Sequence, residues 1–169
     1  MNSSRVLETL TDAVETKRVM VIPGSPRRAG NSATLAARIA RGAEATHAKV
    51  KPAFLQGLEV SPCSGCDTCQ KPDSKVCAIK DGMQEVYGSL ISADTCVIAS
   101  RVYWSTMSAR TKVFVHRRCA LPAYAENRFA GKRIAIAMSY GDADPVRSGC
   151  VSALGLDCHL HVGTWMAAT

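Results

Sequence analysis

Four cysteines lie close together in the stretch CSGCDTCQKPDSKVC, at Cys63, Cys66, Cys69 and Cys77. Two residues separate each of the first three cysteines, and seven residues precede the fourth. Four thiolates in one short loop can hold either tetrahedral zinc or a [4Fe–4S] cluster. Zinc sites usually draw their ligands from two separated Cys-x-x-Cys pairs, whereas successive two-residue steps are typical of the cluster. The spacing therefore favours iron over zinc. Thiols without a metal, redox-active or inert, are the third interpretation.

A second group of residues suited to chemistry follows the apolar run RVMVI, in the stretch PGSPRRAGNSATLA. It is not a Walker A loop, because Asn31 stands where that motif has its lysine, and it does not match G-x-G-x-x-G. It nevertheless combines flexible glycines, hydroxyls, cations and a helix N-terminus, which together favour a phosphate group. The candidate residues are Gly24, Ser25, Arg27, Arg28, Gly30, Asn31 and Ser32. A plain strand-to-helix turn would need neither arginine, so phosphate binding is the preferred interpretation.

Short apolar runs alternate with helical patterns along the chain, and these elements must position both groups. The apolar runs predict buried strands at residues 18–22, 95–100 and 133–138, with weaker strands at 50–55 and 159–166. Apolar spacing and capping residues predict helices at residues 4–16, from a cap at Asn31 or Ser32, from a cap at Asp81, at 106–118 and briefly around 151–154.

Strands that alternate with helices predict an α/β domain with a doubly wound parallel sheet. About five strands in a chain of 169 residues fit the flavodoxin-like order 2-1-3-4-5. In such sheets the ligand lies beyond the carboxyl ends of the strands, next to the first strand. The loops after Ile22, Ser100 and Met138 are therefore the places where a site is expected.

The charge balance and hydropathy narrow the classes of partner. With 21 Lys and Arg against 14 Asp and Glu, the net charge of +7 suits an anionic ligand such as a nucleotide, phosphate or nucleic acid. A basic zinc-binding module that binds nucleic acid is an alternative. It is a distant one, because the basic stretches of this chain lack the interleaved aromatic residues expected of such a module. No run approaches the roughly 18 apolar residues of a membrane span, and the polar N-terminus does not resemble a secretion signal. A cytoplasmic location, where disulfides are rare, is expected.

The stretch GSPRRAGNSATLA resembles the FMN-phosphate loop of the NADPH-dependent FMN reductase and iron–sulfur flavoprotein family, whose usual form is G-S-x-R-x-x-G-N-[ST]. The resemblance continues through the cysteine loop (residues 61–80) and DGMQEVYGSLISADTCVIASRVYW into a helix that carries Lys112. Departures occur at Arg101, where proline is common, at Gly82 and at His116. The resemblance implies a single flavodoxin-like FMN-binding domain over residues 1–169, with a lead-in helix at 1–16, that takes electrons from a reduced nicotinamide.

Further residues become candidates once FMN is expected. Tyr103 and Trp104 follow the strand that ends at Ser100 and could flank the isoalloxazine ring, although an aromatic lid on the core would look the same. The stretch SYGDAD at 139–144 offers a hydroxyl and backbone N–H groups for the ring's pyrimidine edge, as would a plain polar turn. The cofactor-binding residues that the resemblance implies are Ser25, Arg27, Arg28, Gly30, Asn31, Ser32, Ser100, Val102, Tyr103, Trp104, Ser105, Ser139, Tyr140 and Gly141. It also matches Cys63, Cys66, Cys69 and Cys77 one by one to cluster ligands.

Two redox functions follow from these residues. The leading prediction is an FMN-dependent oxidoreductase that moves electrons from NAD(P)H through FMN to a quinone, another flavin or a similar acceptor. The alternative is an iron–sulfur flavoprotein that passes single electrons between a [4Fe–4S] cluster, FMN and a ferredoxin-like partner. In both, the flavin carries the chemistry, and no catalytic side chain is expected because no Ser/His/Asp or paired-carboxylate pattern occurs. A homodimer or homotetramer is expected, with neither nucleic acid nor membrane as partner.

Overall fold

The structure is a computed structural model that describes residues 16–149, apart from positions 72, 75, 76, 124, 125, 129 and 145, together with residues 162–166. Residues 122, 123, 126, 127 and 162–166 are described by their backbone alone. In chain order the elements are β1 (Arg18–Pro23), α1 (Asn31–Ala45), β2 (Lys49–Pro52), α2 (Met83–Ser92), β3 (Thr95–Tyr103), β4 (Thr106–Met107), α3 (Ala109–Arg117), β5 (Pro122–Ala123), β6 (Glu126–Asn127), β7 (Arg133–Ser139) and β8 (Val162–Met166). Short 3₁₀ turns occupy Leu55–Gly57, Thr68–Gln70 and Arg118–Ala120.

Five parallel strands form the main sheet in the order β2-β1-β3-β7-β8. This confirms the predicted flavodoxin-like order 2-1-3-4-5. The short strand β4 adds to the end of β3 in antiparallel pairing, and β5 and β6 form a separate two-stranded sheet. Within the described residues, no helix is both long and apolar enough to cross a bilayer.

The two faces of the sheet carry apolar layers of different size. On one face, Met20, Ile22 and Ile98 join the core that α2 and α3 cover, where Tyr87 and Phe114 are almost fully buried. On the other face, α1 packs through Ala36 and its neighbours against Val21, Val97 and Ala99. Strands that are buried on both faces read as continuous apolar runs, which is why β1, β3 and β7 were predictable from the sequence.

The helix starts differ in detail from the predictions. The prediction that Asn31 or Ser32 caps α1 is wrong, because Gly30 occupies the N-cap position without a side-chain bond. The Ser32 hydroxyl instead lies 3.2 Å from the Ser139 hydroxyl in β7. The predicted N-cap Asp81 is likewise wrong by one position, because Gly82 holds the N-cap of α2. The Asp81 side chain nevertheless binds the start of the helix, since its Oδ1 accepts from the N–H of Met83 at 3.0 Å.

Residues 106 and 107 lie in a strand, so the helix predicted for 106–118 begins only at Ala109. The cause is a hairpin in which Val102 pairs with Met107 and Tyr103 with Thr106. Ser108 then caps α3 by accepting from the N–H of Thr111. The last strand is described over Val162–Met166, within the predicted range 159–166, and residues 159–161 lie outside the described residues. The helix predicted around 151–154 lies outside the described residues. So does the helix predicted for 4–16, except for its last position, 16.

Candidate functional site

A polar cavity of about 410 Å3 opens at the carboxyl ends of β1, β3 and β7 and at the first turn of α1. This is the edge at which open α/β sheets bind their ligands. Its lining residues are Ser25, Arg27, Ala29, Gly30, Asn31, Ser32, Arg101, Tyr103 and Ser139. Five of the seven loop residues predicted to bind phosphate therefore meet residues from two other strands in one cavity.

The start of α1 is built to receive an anion. No side chain caps the helix, and no acidic residue lies in its first turn. The backbone N–H groups of a helix's first turn have no partner within the helix, and the helix dipole adds positive potential there. The Ser25 hydroxyl orders the preceding loop by accepting from the N–H of Arg27 at 3.2 Å. A phosphate at this place would meet the helix N-terminus and the Arg27 side chain together.

The two adjacent arginines of the loop point to different places. Arg27 lines the polar cavity. The guanidinium of Arg28 lies 4.3 Å above the centre of the Phe54 ring and lines a separate cavity beside β2. Arg28, which was predicted to bind the cofactor, is thus not among the residues that line the polar cavity.

The aromatic pair also divides. Tyr103 lines the cavity, whereas the Trp104 side chain is 99% exposed at the tip of the β3–β4 hairpin. Trp104 and Ser105 form the two-residue turn, and both have positive φ angles, 46° and 58°. Gly149 packs against this turn so closely that a Cβ atom on it would lie 2.3 Å from the Ser105 Cα. The turn therefore sends Trp104 into solvent.

Arg101 is a cavity residue that was not among the predicted binding residues. Its guanidinium lies 5.6 Å from the centre of the Tyr103 ring, and both side chains line the cavity. Side chains two residues apart on a strand share a face, so this alternation was the signal that could have identified it. The arginine makes the mouth of the cavity more cationic.

Ser100 lies behind the cavity in a buried hydroxyl network. Its Oγ accepts from the N–H of Ser108 at 3.1 Å and from Thr111 Oγ1 at 3.3 Å. Ser108 Oγ donates to the carbonyl of Gly24 at 2.7 Å. These bonds tie β3 and α3 to the phosphate loop, so Ser100 positions the site rather than lining it. No sequence motif singled out Ser108 or Thr111.

The remaining predicted residues do not line the cavity. Tyr140 is 7% exposed and belongs to the apolar core, and Gly141 is exposed just beyond it. Val102 packs against the same core. Ser105 lies in the hairpin turn. The structure thus brings together seven of the predicted residues, namely Ser25, Arg27, Gly30, Asn31, Ser32, Tyr103 and Ser139.

The four thiols of the cysteine loop lie in different surroundings. Cys63 and Cys66 are exposed, Cys69 is half-buried and Cys77 is buried in the core. Hydrogen bonds from Thr68 lower the pKa of Cys66 to about 7, while burial raises the pKa of Cys69. Among the described residues, no three His, Cys, Asp or Glu side chains are grouped to hold a metal ion. The thiols as placed do not form a preassembled metal site.

Comparison with curated proteins finds iron–sulfur flavoproteins. One from Archaeoglobus fulgidus is 35% identical over 123 residues, which cover 73% of this chain and 61% of the relative. One from Methanocaldococcus jannaschii is 36% identical over 102 residues, which cover 59% of this chain and 51% of the relative. The matched region thus spans only about half to three-fifths of these relatives.

Solved structures share the fold at low identity. A NAD(P)H:quinone oxidoreductase from Methanothermobacter marburgensis superposes with a TM-score of 0.71 at 13% identity, covering 90% of this chain and 87% of that one. A putative quinone reductase from Klebsiella pneumoniae gives 0.65 at 16% identity, covering 90% and 75%. The model of the NADPH-dependent FMN reductase family matches residues 17–154, which include all the strands and loops that build the cavity. The chain therefore belongs to the NADPH-dependent FMN reductase family.

Proposed function

We propose that the protein is an oxidoreductase that moves electrons from NAD(P)H through bound FMN to a quinone, another flavin or a similar acceptor. The observation that carries the proposal is the polar cavity, in which Arg27 and the uncapped N-terminus of α1 lie across from Tyr103. This combination suits a ligand with a phosphate at one end and a flat ring at the other.

The residues present fit FMN in three parts. Arg27, Ser25 and the first-turn N–H groups of α1 would bind the phosphate. Tyr103 and Arg101 would flank the ring, and Ser139 would offer a hydroxyl to the ring's polar edge. Bound FMN would supply the redox chemistry by accepting a hydride from the nicotinamide and passing electrons to the acceptor.

The chain's own part is binding and electrostatics. The described lining of the cavity contains two arginines and no carboxylate, imidazole or thiol. Cations next to a bound cofactor favour its more negative form, so Arg27 and Arg101 would favour the reduced state. Proton transfer by a side chain is not part of this proposal.

A finer proposal is that Cys63, Cys66, Cys69 and Cys77 hold a [4Fe–4S] cluster and that a ferredoxin-like partner exchanges electrons with it. The cysteine spacing and the printed names of the relatives support it. The four thiols are not grouped for a metal in this structure. A cytoplasmic location and assembly as a homodimer or homotetramer complete the proposal.

A matched pair of arginine variants tests the phosphate assignment. Arg27→Gln should weaken FMN binding about tenfold, the scale of one charge-assisted hydrogen bond, and leave riboflavin binding unchanged because riboflavin lacks the phosphate. Arg28→Gln should leave both affinities nearly unchanged, since its guanidinium stacks on Phe54 outside the cavity. Titrations that follow flavin fluorescence give the affinities. Equal losses in the two variants, or an equal loss for riboflavin, would contradict the assignment.

The visible spectrum and metal content of protein purified without oxygen test the cofactors. Two flavin bands alone indicate FMN without a cluster, and a broad brown absorbance with about four irons per chain indicates the cluster as well. Turnover of NADH or NADPH with a quinone acceptor and no added protein mediator then supports the reductase. A colourless protein that contains zinc and does not bind added FMN would refute the proposal and favour the nucleic-acid module.

A further inference from the structure

Arg117, the last residue of α3, is buried together with its charge. The side chain has no exposed surface, and the guanidinium faces the carboxylate of Asp81 in a two-pronged ion pair. Nη1 donates to Oδ2 at 2.6 Å, and Nη2 donates to Oδ1 at 3.0 Å. This planar geometry is specific to arginine, because the ammonium group of lysine cannot make both bonds in the same way.

The other partners of this guanidinium lie at the two ends of the cysteine loop. Nη1 also donates to the carbonyl of Ser61 at 2.7 Å, two residues before the first cysteine. Nη2 also reaches the carbonyl of Ile79 at 3.4 Å, two residues after the last cysteine. Asp81 completes the closure, since its Oδ2 accepts from the N–H of Ser61 at 2.9 Å. One ion pair therefore holds the entry and the exit of the loop side by side.

The ion pair stays charged over the working pH range. Hydrogen bonds from Arg117 lower the pKa of Asp81 to about 2, although burial opposes this. Moving a charge pair from water into the protein interior costs free energy, and leaving one of the two charges in the interior without its partner costs more. Replacement of Arg117 would thus leave the carboxylate of Asp81, which is only 10% exposed, without its cation and release both ends of the loop.

The burial of Cys77 depends on the exit of the loop. Cys77 is 6% exposed, and its neighbour Tyr87 donates its hydroxyl to the Arg117 carbonyl at 2.7 Å. Gln84 holds the same stretch, because its Nε2 donates to the carbonyls of Cys77 at 3.3 Å and Ile79 at 2.7 Å. Cys63 and Cys66, in contrast, are exposed.

The opposite end of α3 supports the polar cavity. Ser108, the cap of the helix, donates to the carbonyl of Gly24 in the phosphate loop. Nine residues at 1.5 Å each place Arg117 about 13 Å along the helix axis from that end. The helix is thus a rigid spacer with the polar cavity at its start and the base of the cysteine loop at its end.

We propose that Arg117 is the positioning residue of the cysteine loop: paired with Asp81, it holds both loop ends against α3, keeps Cys77 in the core and sets the place of the loop relative to the polar cavity. The proposal concerns the protein framework, so it does not depend on the nature of the cofactor or on a metal. It assigns a role to two residues, Arg117 and Asp81, that lie outside both the cavity and the set of cysteines.

Site-resolved cysteine alkylation tests this role. The purified protein with its bound cofactors is treated with iodoacetamide under native conditions, and labelling of each cysteine is followed by peptide mass spectrometry. Arg117→Ala should raise the labelling rate of Cys77 about tenfold or more, the scale of a local opening. Cys96, which is buried in β3, reports global unfolding and should keep its slow rate. The control Lys112→Ala removes an exposed cation from the same helix and should change neither rate.

Rescue separates positioning from general packing. Guanidinium ion at millimolar concentration should restore the protection of Cys77 in Arg117→Ala, whereas ammonium at the same concentration should not. Should Arg117→Ala fail to fold, Arg117→Lys carries the same comparison with a smaller rise at Cys77. An unchanged Cys77 rate overturns the proposal. So does a parallel rise at Cys96, and so does equal rescue by the two cations.

Discussion

Replacement of Gly24 by alanine is the sharpest test of how the phosphate loop packs against α3. A Cβ atom at this position would lie 1.8 Å from Thr111 Oγ1, 3.2 Å from Thr111 Cβ and 3.3 Å from Ser108 Oγ. The 1.8 Å separation from Thr111 Oγ1 is far shorter than a van der Waals contact, so the loop or the helix must move. The movement would break the bond between Ser108 Oγ and the Gly24 carbonyl.

The expected cost follows from these contacts. Overpacking a tight site costs about 1–3 kcal/mol, and one lost buried hydrogen bond adds about 1 kcal/mol. We therefore expect Gly24→Ala to lower the free energy of unfolding by about 2–4 kcal/mol. FMN binding should weaken as well, because the displaced segment leads directly into Ser25 and Arg27.

Gly88→Ala is the matched control, since it makes the same chemical change where there is room. Gly88 is an exposed residue within α2, and a Cβ atom added there would have no neighbouring atom within 4 Å. Alanine is a better helix former than glycine, so this variant should gain about 1 kcal/mol. Urea unfolding followed by circular dichroism gives both free energies.

A double-mutant cycle with Thr111→Ala isolates the clash. Thr111→Ala alone should cost about 1–2 kcal/mol, because it leaves buried hydroxyls with fewer partners. In the double variant the closest atom is gone, so the combined cost should be smaller than the sum of the single costs by about 1 kcal/mol or more. Strict additivity, or a Gly24→Ala variant as stable as the parent protein, would refute the packing argument.

Two further predictions concern charge and backbone conformation. The pKa of Asp81 falls from 3.8 to about 2 on folding. The ionised carboxylate therefore contributes about 2 kcal/mol to the free energy of unfolding above pH 4, and this contribution is lost as the pH falls through 2. Measurements of the free energy of unfolding across this pH range should show the loss, and Asp81→Asn should remove that part of the pH dependence. Ser105→Gly should raise stability by about 1 kcal/mol, because the positive φ of Ser105 suits glycine, and a lower thermal midpoint in this variant would contradict the reasoning.

The phosphate loop shows how far local sequence carries a prediction. Its glycines, serines and arginines lie within nine consecutive residues, Gly24 to Ser32, and the strand before it and the helix after it are both apparent from periodicity. The cavity accordingly contains Ser25, Arg27 and Ser32 as expected. The opposite placement of Arg28 was not predictable, because it follows from the position of the Phe54 ring, which belongs to another loop.

The structural supports of the site were beyond the reach of spacing arguments. Ser108 and Gly24 are 84 residues apart, and Arg117 and Asp81 are 36 apart. Such pairs leave no periodic signal in a single sequence, since each partner is an ordinary serine, glycine, arginine or aspartate until the chain is folded. The same holds for the thiols, whose spacing favoured one metal site while the fold places Cys77 in the core and Cys63 at the surface.

The sequence by itself determined the order of strands and helices and the edge of the sheet at which a ligand would lie. The physical reason is that burial on both faces demands continuous apolar strands, and parallel strands bring their carboxyl ends to one edge. Only the tertiary structure decided which side chains of each loop face the cavity. Those directions depend on positive φ angles at the hairpin tip, as at Trp104, and on contacts between residues distant in the chain.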